Sequence, residues 1–135
     1  MENKKINRDI RTLCVKASSF PAGVEAAHNK LHSLPLEEKR RFFGISWMNK
    51  NNEIVYYAAA DELATDEAKK FGCETFTIKK GDYCGIMLKD WRKTPDLVGI
   101  TFQELLRHPD LDPEGYCLEI YHGESDMECL VKLKH

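Results

Sequence analysis

The chain has 135 residues, enough for one compact domain, and its 42% hydrophobic and 31% charged residues are typical of a globular protein. Its net charge of −2 argues against direct binding of nucleic acid, which normally requires a basic surface. No apolar run approaches the ~18 residues of a membrane span, and the N-terminus does not resemble a signal peptide. We therefore expect a cytoplasmic protein that does not bind a membrane.

The cysteines and histidines do not predict a metal site or a cofactor. Five cysteines lie in apolar runs without a C-x-x-C pair, which indicates buried free thiols in a reducing compartment. His28 and His32 have a spacing that can bind a metal, but no third ligand is evident and His28 belongs to an apolar helix stripe. We interpret His28 as a packing residue and expect neither metal nor cofactor.

Alternation, helical periodicity and turn residues predict the elements in chain order. Residues 1–10 are polar and are expected to form a flexible N-terminal segment ahead of a single domain at 11–135. The predicted elements are a strand at 12–18, a helix ending before 35, strands at 42–48 and 53–60, a short helix at 66–70, strands at 74–79 and 82–88, a helix from 94, and strands at 116–121 and 127–133.

This order contains the unit strand-helix-strand-strand twice, at about residues 12–60 and 82–133. Shared element order, rather than sequence identity, indicates the duplication. We predict an α+β fold in which two such units form one antiparallel sheet with both helices on one face. A ligand cleft is expected on the other face, along the pseudo-twofold axis between the units.

The strand at residues 116–121 carries one carboxylate in its middle. Alternation places Leu118 and Ile120 on one face, and Cys117, Glu119 and Tyr121 on the other. A carboxylate on a half-buried strand is costly unless a cation, water or a ligand compensates it. If Leu118 and Ile120 pack against the helices, Glu119 faces the cleft. The alternatives are a solvated edge, or an ion pair with a lysine such as Lys132 on the neighbouring strand.

The chain resembles the GyrI-like small-molecule-binding family, the effector-binding domain of AraC- and MerR-type regulators, from about residue 12 to 133. The resemblance is strongest in the Tyr-Cys-Leu-Glu-Ile-Tyr strand at 116–121 and the apolar strand at 127–133. Asp-Tyr at 82–83 after Lys-Gly, and the segment 43–57 with its Asn-rich turn, also match. The short N-terminal segment leaves no room for a helix-turn-helix, so the resemblance is to a stand-alone ligand-binding domain.

The resemblance implies a cleft that takes hydrophobic cations, with Glu119 at its base and Tyr121 beside it. Tyr57, Trp47 and Trp91 are the candidate wall aromatics. A carboxylate attracts a cation by Coulomb energy, and aromatic faces add about 0.5–2 kcal/mol per contact. The preferred function is therefore a non-catalytic protein that binds amphipathic, cationic aromatic molecules, as in multidrug binding or transcription regulation.

Two other functions stay open at this point. Some proteins that resemble this family hydrolyse strained electrophilic compounds; here Glu119 would be the general base, with Tyr121 or Tyr57 donating to the leaving oxygen. Desolvation raises the pKa of a carboxyl group, which suits such a base. A third function is a protein-interaction module, for example one that modulates gyrase, and a homodimer or protein partner is compatible with any of the three.

Overall fold

A computed structural model describes residues 1–36 and 39–135, and these residues form eight strands, three α-helices and one 3-10 helix. Their bounds are β1 Glu2–Ile6, β2 Ile10–Lys16, α1 Val24–Ser33, β3 Phe42–Met48, β4 Ile54–Asp61, α2 Glu67–Lys70, β5 Glu74–Ile78, β6 Gly81–Leu88, the 3-10 helix Trp91–Lys93, α3 Asp96–Leu105, β7 Cys117–His122 and β8 Asp126–Lys132. The predicted α+β class is confirmed.

The strands form a single antiparallel sheet in the order β1-β6-β8-β7-β3-β4-β2-β5. In each half the last strand of the unit lies between the first two: β4 between β2 and β3, and β8 between β6 and β7. The halves meet at β3 and β7, which pair along residues 42–46 and 117–121. Whether the halves arose by duplication stays a prediction.

The sheet is curled into a half-barrel. Trp47 on β3 and Phe76 on β5 are three strands apart, which in a flat sheet would separate them by about 14 Å. Their ring centroids are only 5.7 Å apart, so the sheet bends toward the face that carries them. Phe43, Ile45 and Leu118 are fully buried on this inner face, and the core cluster around them contains no helix residue.

The helices pack on the outer face. In α1, Leu31 contacts a cluster that includes Tyr56 and Ala58 of β4. In α3, Leu105 contacts a cluster on β6 and β8. Because α1 packs mainly on β2 and β4, and α3 on β6 and β8, the central strands β3 and β7 lie between the two helices.

Two observations bear on these expectations. The segment 1–10, expected to be flexible, contains β1, which pairs with β6 although only Ile6 of its side chains is buried; its flexibility stays a prediction. Leu118 and Ile120 were considered as partners of the helices, but they lie in the inner core, and Glu119 therefore faces outward, on the side of the helices. A curled sheet has a core on its concave face too, and the position of a ligand cleft stays a prediction.

Leu105 and its neighbour Leu106 provide a matched test of the packing of α3. Leu105 is 0% exposed and Leu106 is 46% exposed. Replacing Leu105 by alanine should lower the free energy of unfolding by about 2–5 kcal/mol, because it leaves a cavity against the sheet. The Leu106→Ala change should cost less than about 1 kcal/mol. Urea unfolding of both variants measures the difference, and equal losses would contradict this packing.

Candidate ligand-binding site

Glu119 lies at the middle of β7, directly opposite Gly44 of β3. Gly44 is in turn paired with Ala58 of β4, so the carboxylate is flanked on this side by glycine and alanine, the two smallest residues. A Cβ atom on Gly44 would collide with Glu119 Oε1 and with the Tyr56 hydroxyl. The absence of a side chain at position 44 therefore creates the space that the carboxylate occupies.

Two phenols replace the expected cation as partners of this carboxylate. Glu119 Oε1 accepts hydrogen bonds from the Tyr56 hydroxyl at 2.6 Å and from the Tyr121 hydroxyl at 2.8 Å. Within residues 1–36 and 39–135, no lysine or arginine forms an ion pair with Glu119. Lys132, the nearest candidate by sequence, instead donates to the Leu133 carbonyl at 2.6 Å.

Burial raises the pKa of the Glu119 carboxyl group, and the two phenol hydrogen bonds act in the opposite direction. Burial and the neighbouring carboxylate also raise the pKa of Tyr56 and Tyr121, so both hydroxyls keep their protons. The phenols are therefore permanent donors at neutral pH. Their hydrogen bonds favour the ionised form of Glu119, whereas its burial favours the protonated form.

One oxygen of the carboxylate remains available. Both phenols donate to Oε1, and among the described residues Oε2 has no hydrogen-bond partner. The same residues contain no side-chain oxygen that is both buried and unpaired, and the Glu119 side chain is only partly buried. It follows that Oε2 is not fully shielded from solvent. This oxygen of Glu119 is therefore open to a further partner.

His28 of α1 is the fourth side chain of this hydrogen-bond network, after Glu119, Tyr56 and Tyr121. Its Nε2 lies 2.8 Å from the Tyr56 hydroxyl and 3.3 Å from the Tyr121 hydroxyl. Each phenol has a single proton, which it donates to Glu119, so His28 Nε2 must be the protonated nitrogen and the donor to both. Burial, with smaller contributions from His32 and Arg92, lowers the pKa of His28 to about 4. A neutral His28 thus fixes the direction of every hydrogen bond in the network.

Aromatic rings surround this network. The His28 and Tyr121 rings are 5.3 Å apart at 82°, an edge-to-face contact. Phe20, which is 44% exposed, lies 6.0 Å from Tyr56, and Trp91 lies 6.0 Å from Tyr121 on the other side. The result is a cluster of aromatic rings around the Glu119 carboxyl group, between α1 and the 3-10 helix.

The structure brings together three of the five predicted site residues. Glu119, Tyr121 and Trp91 lie in the aromatic cluster, but Tyr57 and Trp47 do not, because they point to the inner face of the sheet. There the Trp47 ring stacks between Tyr57 and Phe76, at 5.7 Å from each. Tyr57 and Trp47 therefore belong to the core of the half-barrel and not to the surroundings of Glu119.

Tyr56, Gly44 and His28 were missed as site residues. Tyr56 and Tyr57 are adjacent, and only the pairing of β4 with β3 and of β3 with β7 decides which of them faces Glu119. Gly44 gave no separate signal within an apolar strand. His28 was interpreted as packing against the sheet, which describes its contact with the Tyr56 ring at 5.7 Å but not its hydrogen bonds.

Other parts of the surface are distinct from this aromatic cluster. In the described part of the chain, no group of three or more His, Cys, Asp or Glu residues could hold a metal ion. Two depressions of about 260 and 450 Å³ lie elsewhere, one beside the end of α1 and one between β1 and the C-terminus. Neither includes Glu119, and the second mixes acidic and basic side chains.

No helix in residues 1–36 and 39–135 is long and apolar enough to cross a membrane.

Comparison with known proteins supports the architecture. The chain matches no protein-family model and no curated protein by sequence. An integron cassette protein from the mobile metagenome of Vibrio cholerae superposes with a TM-score of 0.69 and 14% identity, over 98% of this chain and 95% of that one. The chain therefore shares the fold of that protein.

Two further structures have the same fold at 11% identity. One is a protein determined with bound tetraphenylphosphonium, with a TM-score of 0.61 over 98% of this chain and 93% of the other. The other is a hydrolase from Listeria innocua, with a TM-score of 0.60 over 98% and 92%. At this identity the likeness establishes the fold, a scaffold that in one neighbour holds a cationic aromatic molecule.

Gly44→Ala tests the close approach of β3 to the carboxylate. Alanine is intrinsically the better strand residue, but here its methyl group must displace Glu119 and Tyr56, so we expect a loss of about 1–3 kcal/mol in unfolding free energy. Gly99 in α3 is the control, since a methyl group there meets open space and should stabilise the helix by up to about 1 kcal/mol. Urea denaturation in which both variants gained stability would refute the crowding at Gly44.

His28→Gln tests the proton arrangement, because glutamine retains an N–H donor but does not titrate. The pKa of His28 is about 4 in the folded chain and 6.5 ordinarily, so the unfolded state takes up the proton first as pH falls. The histidine contribution to stability is complete above pH 6.5 and is lost toward pH 4. The melting temperature of the variant should therefore fall less than that of the wild type between these pH values.

The control for this comparison is His135→Gln, which removes an exposed imidazole far from the site. Its melting temperature should follow the wild-type pH profile. If His28→Gln also followed it, His28 would titrate normally and could not be the neutral donor described above.

Proposed function

We propose that this protein binds amphipathic aromatic cations in the aromatic cluster around Glu119. The observation that carries the proposal is a partly buried carboxyl group whose described partners are two phenols rather than a cation. When this group is ionised its charge is left to compensate, and a cationic ligand can compensate it. Trp91, Tyr121 and Phe20 supply the aromatic surfaces that favour a flat or bulky organic cation.

The fold neighbours are compatible with this role. One of them was determined with tetraphenylphosphonium, a hydrophobic cation with four phenyl rings. The resemblance to GyrI-like effector-binding domains suggests the same class of ligand, a broad specificity of the multidrug type and a link to transcription regulation. In this proposal Glu119 is the charge partner, Tyr121 and Trp91 are walls, and Tyr56 takes the place that was expected for Tyr57.

A second candidate function uses the same carboxylate as a general base. Burial raises the pKa of Glu119 toward the range useful for a base, and its Oε2 is accessible to a water molecule. Stabilising a developing oxyanion of a strained electrophile would require a phenol such as Tyr121 to move its hydrogen bond from Glu119 to that oxygen. A hydrolase among the fold neighbours makes this chemistry worth assaying.

Glu119→Gln separates charge recognition from shape. We expect it to weaken tetraphenylphosphonium binding at least about tenfold, or about 1.4 kcal/mol, because the amide keeps the size of the carboxylate and loses its charge. Glu74→Gln is the matched control: Glu74 also accepts a phenol hydrogen bond, from Tyr57 at 3.1 Å, but it is exposed near the opposite face. Titration calorimetry of the three proteins gives the dissociation constants.

An unchanged dissociation constant for Glu119→Gln would show that Glu119 is not the charge partner. Equal losses of affinity in Glu119→Gln and Glu74→Gln would indicate that binding depends on the net charge of the protein rather than on this site. Mass spectrometry of strained neutral electrophiles incubated with the same proteins tests the second candidate. Turnover by the wild type that disappears only in Glu119→Gln would favour hydrolysis over simple binding.

A further inference from the structure

A positively charged side chain already covers the Trp91 ring of the aromatic cluster. Arg92 follows Trp91 in the 3-10 helix, and its guanidinium carbon lies 4.6 Å from the centroid of the Trp91 ring. This is cation–π geometry. The guanidinium is oriented by one further contact, from Nε to the Glu124 carbonyl in the β7–β8 turn at 3.1 Å.

Arg92 is connected to the base of the site by a short series of contacts. The Trp91 ring that it covers is 6.0 Å from Tyr121, whose hydroxyl is 2.8 Å from Glu119 Oε1. The charge of Arg92 is close enough to help lower the pKa of His28 and to oppose the rise in the pKa of Tyr121. The site therefore has a carboxyl group at one end and a guanidinium at the other, on the Trp91 ring.

We propose that Arg92 is a resident cation that competes with cationic ligands for the Trp91 ring and thereby sets the charge selectivity of the site. This inference rests on the proposed binding function and extends it. A cation that stacks on Trp91 must displace the guanidinium and overcome its repulsion. An anionic amphiphile of the same shape has no such competition and gains an attraction to Arg92.

The competition also defines the class of ligand. A small, well-hydrated ammonium ion at the rim meets repulsion from Arg92 and only a distant attraction from Glu119. A bulky hydrophobic cation can bury enough apolar surface to displace Arg92 and reach the carboxylate. The site should therefore select hydrophobic cations over small hydrophilic ones, with Arg92 as a specificity-determining residue rather than a contact for the preferred ligand.

Tetraphenylphosphonium and tetraphenylborate test the proposal, because they have nearly the same shape and opposite charge. Arg92→Gln should tighten tetraphenylphosphonium binding by about threefold and weaken tetraphenylborate binding by a similar factor. Arg92→Lys, which keeps the charge, should bind both ions more like the wild type than Arg92→Gln does. Lys93→Gln removes an adjacent exposed charge and should change neither constant by more than about twofold.

If Arg92→Gln changes the dissociation constants of the two ions in opposite directions, the proposal is supported. Changes in the same direction, or no change, would overturn it and leave Arg92 a structural residue. Glu119→Gln in the same series tests the underlying function separately. If this change does not weaken tetraphenylphosphonium binding, Glu119 is not the charge partner, and the conclusion about Arg92 still depends on the Arg92 variants alone. A ligand-free readout is the pKa of His28 by NMR, which Arg92→Gln should raise above about 4. An unchanged value would also overturn the proposal.

Discussion

The structure depends on how it accommodates one carboxylate at the centre of the sheet. Glu119 sits where the two halves meet, and a charge there would be costly without compensation. Two phenols provide it, and hydrogen bonds to a charged group contribute about 1.5–3 kcal/mol each. Tyr56 comes from β4, in the other half of the chain. The carboxylate is therefore stable only when both halves are assembled.

This arrangement explains why the network has one direction. The phenols use their single protons on Glu119, so their hydrogen bonds with His28 of α1 require a neutral imidazole that donates from Nε2. Helix, strand pairing and proton positions thus support one another. A cation such as lysine at this position would have given a self-contained ion pair. Phenols carry no charge, so they leave the charge of an ionised Glu119 uncompensated.

Much of the fold was accessible from the sequence because it depends on local patterns. Alternation located the strands β3, β4, β7 and β8, and the helices α1 and α3 followed from apolar periodicity. β1 was missed because it is a polar edge strand: Lys4 pairs with Glu128 at 2.6 Å, and only Ile6 is buried. Alternation also placed Glu119 and Leu118 correctly on opposite faces of β7. It could not indicate which face would carry the helices, since both faces of a curled sheet bury apolar side chains.

The site was harder to predict than the strands, because it depends on register between strands distant in sequence. Tyr121 shares a strand with Glu119, and two-residue spacing alone places them together. Tyr56 and Tyr57 look equivalent in sequence, and a shift of one residue reverses their faces. Gly44 matters only through what lies opposite it, which no local pattern reveals.

The strand order also determines when the site can form during synthesis. Tyr56 and Glu119 are 63 residues apart, and the β1 contact between Lys4 and Glu128 spans 124 residues. Topologies dominated by such distant pairs fold slowly, typically in milliseconds to seconds. On the ribosome, β3 has to wait with an unpaired edge until β7 emerges. The nascent N-terminal half is thus the form of this chain most exposed to aggregation, and the form that chaperones would protect.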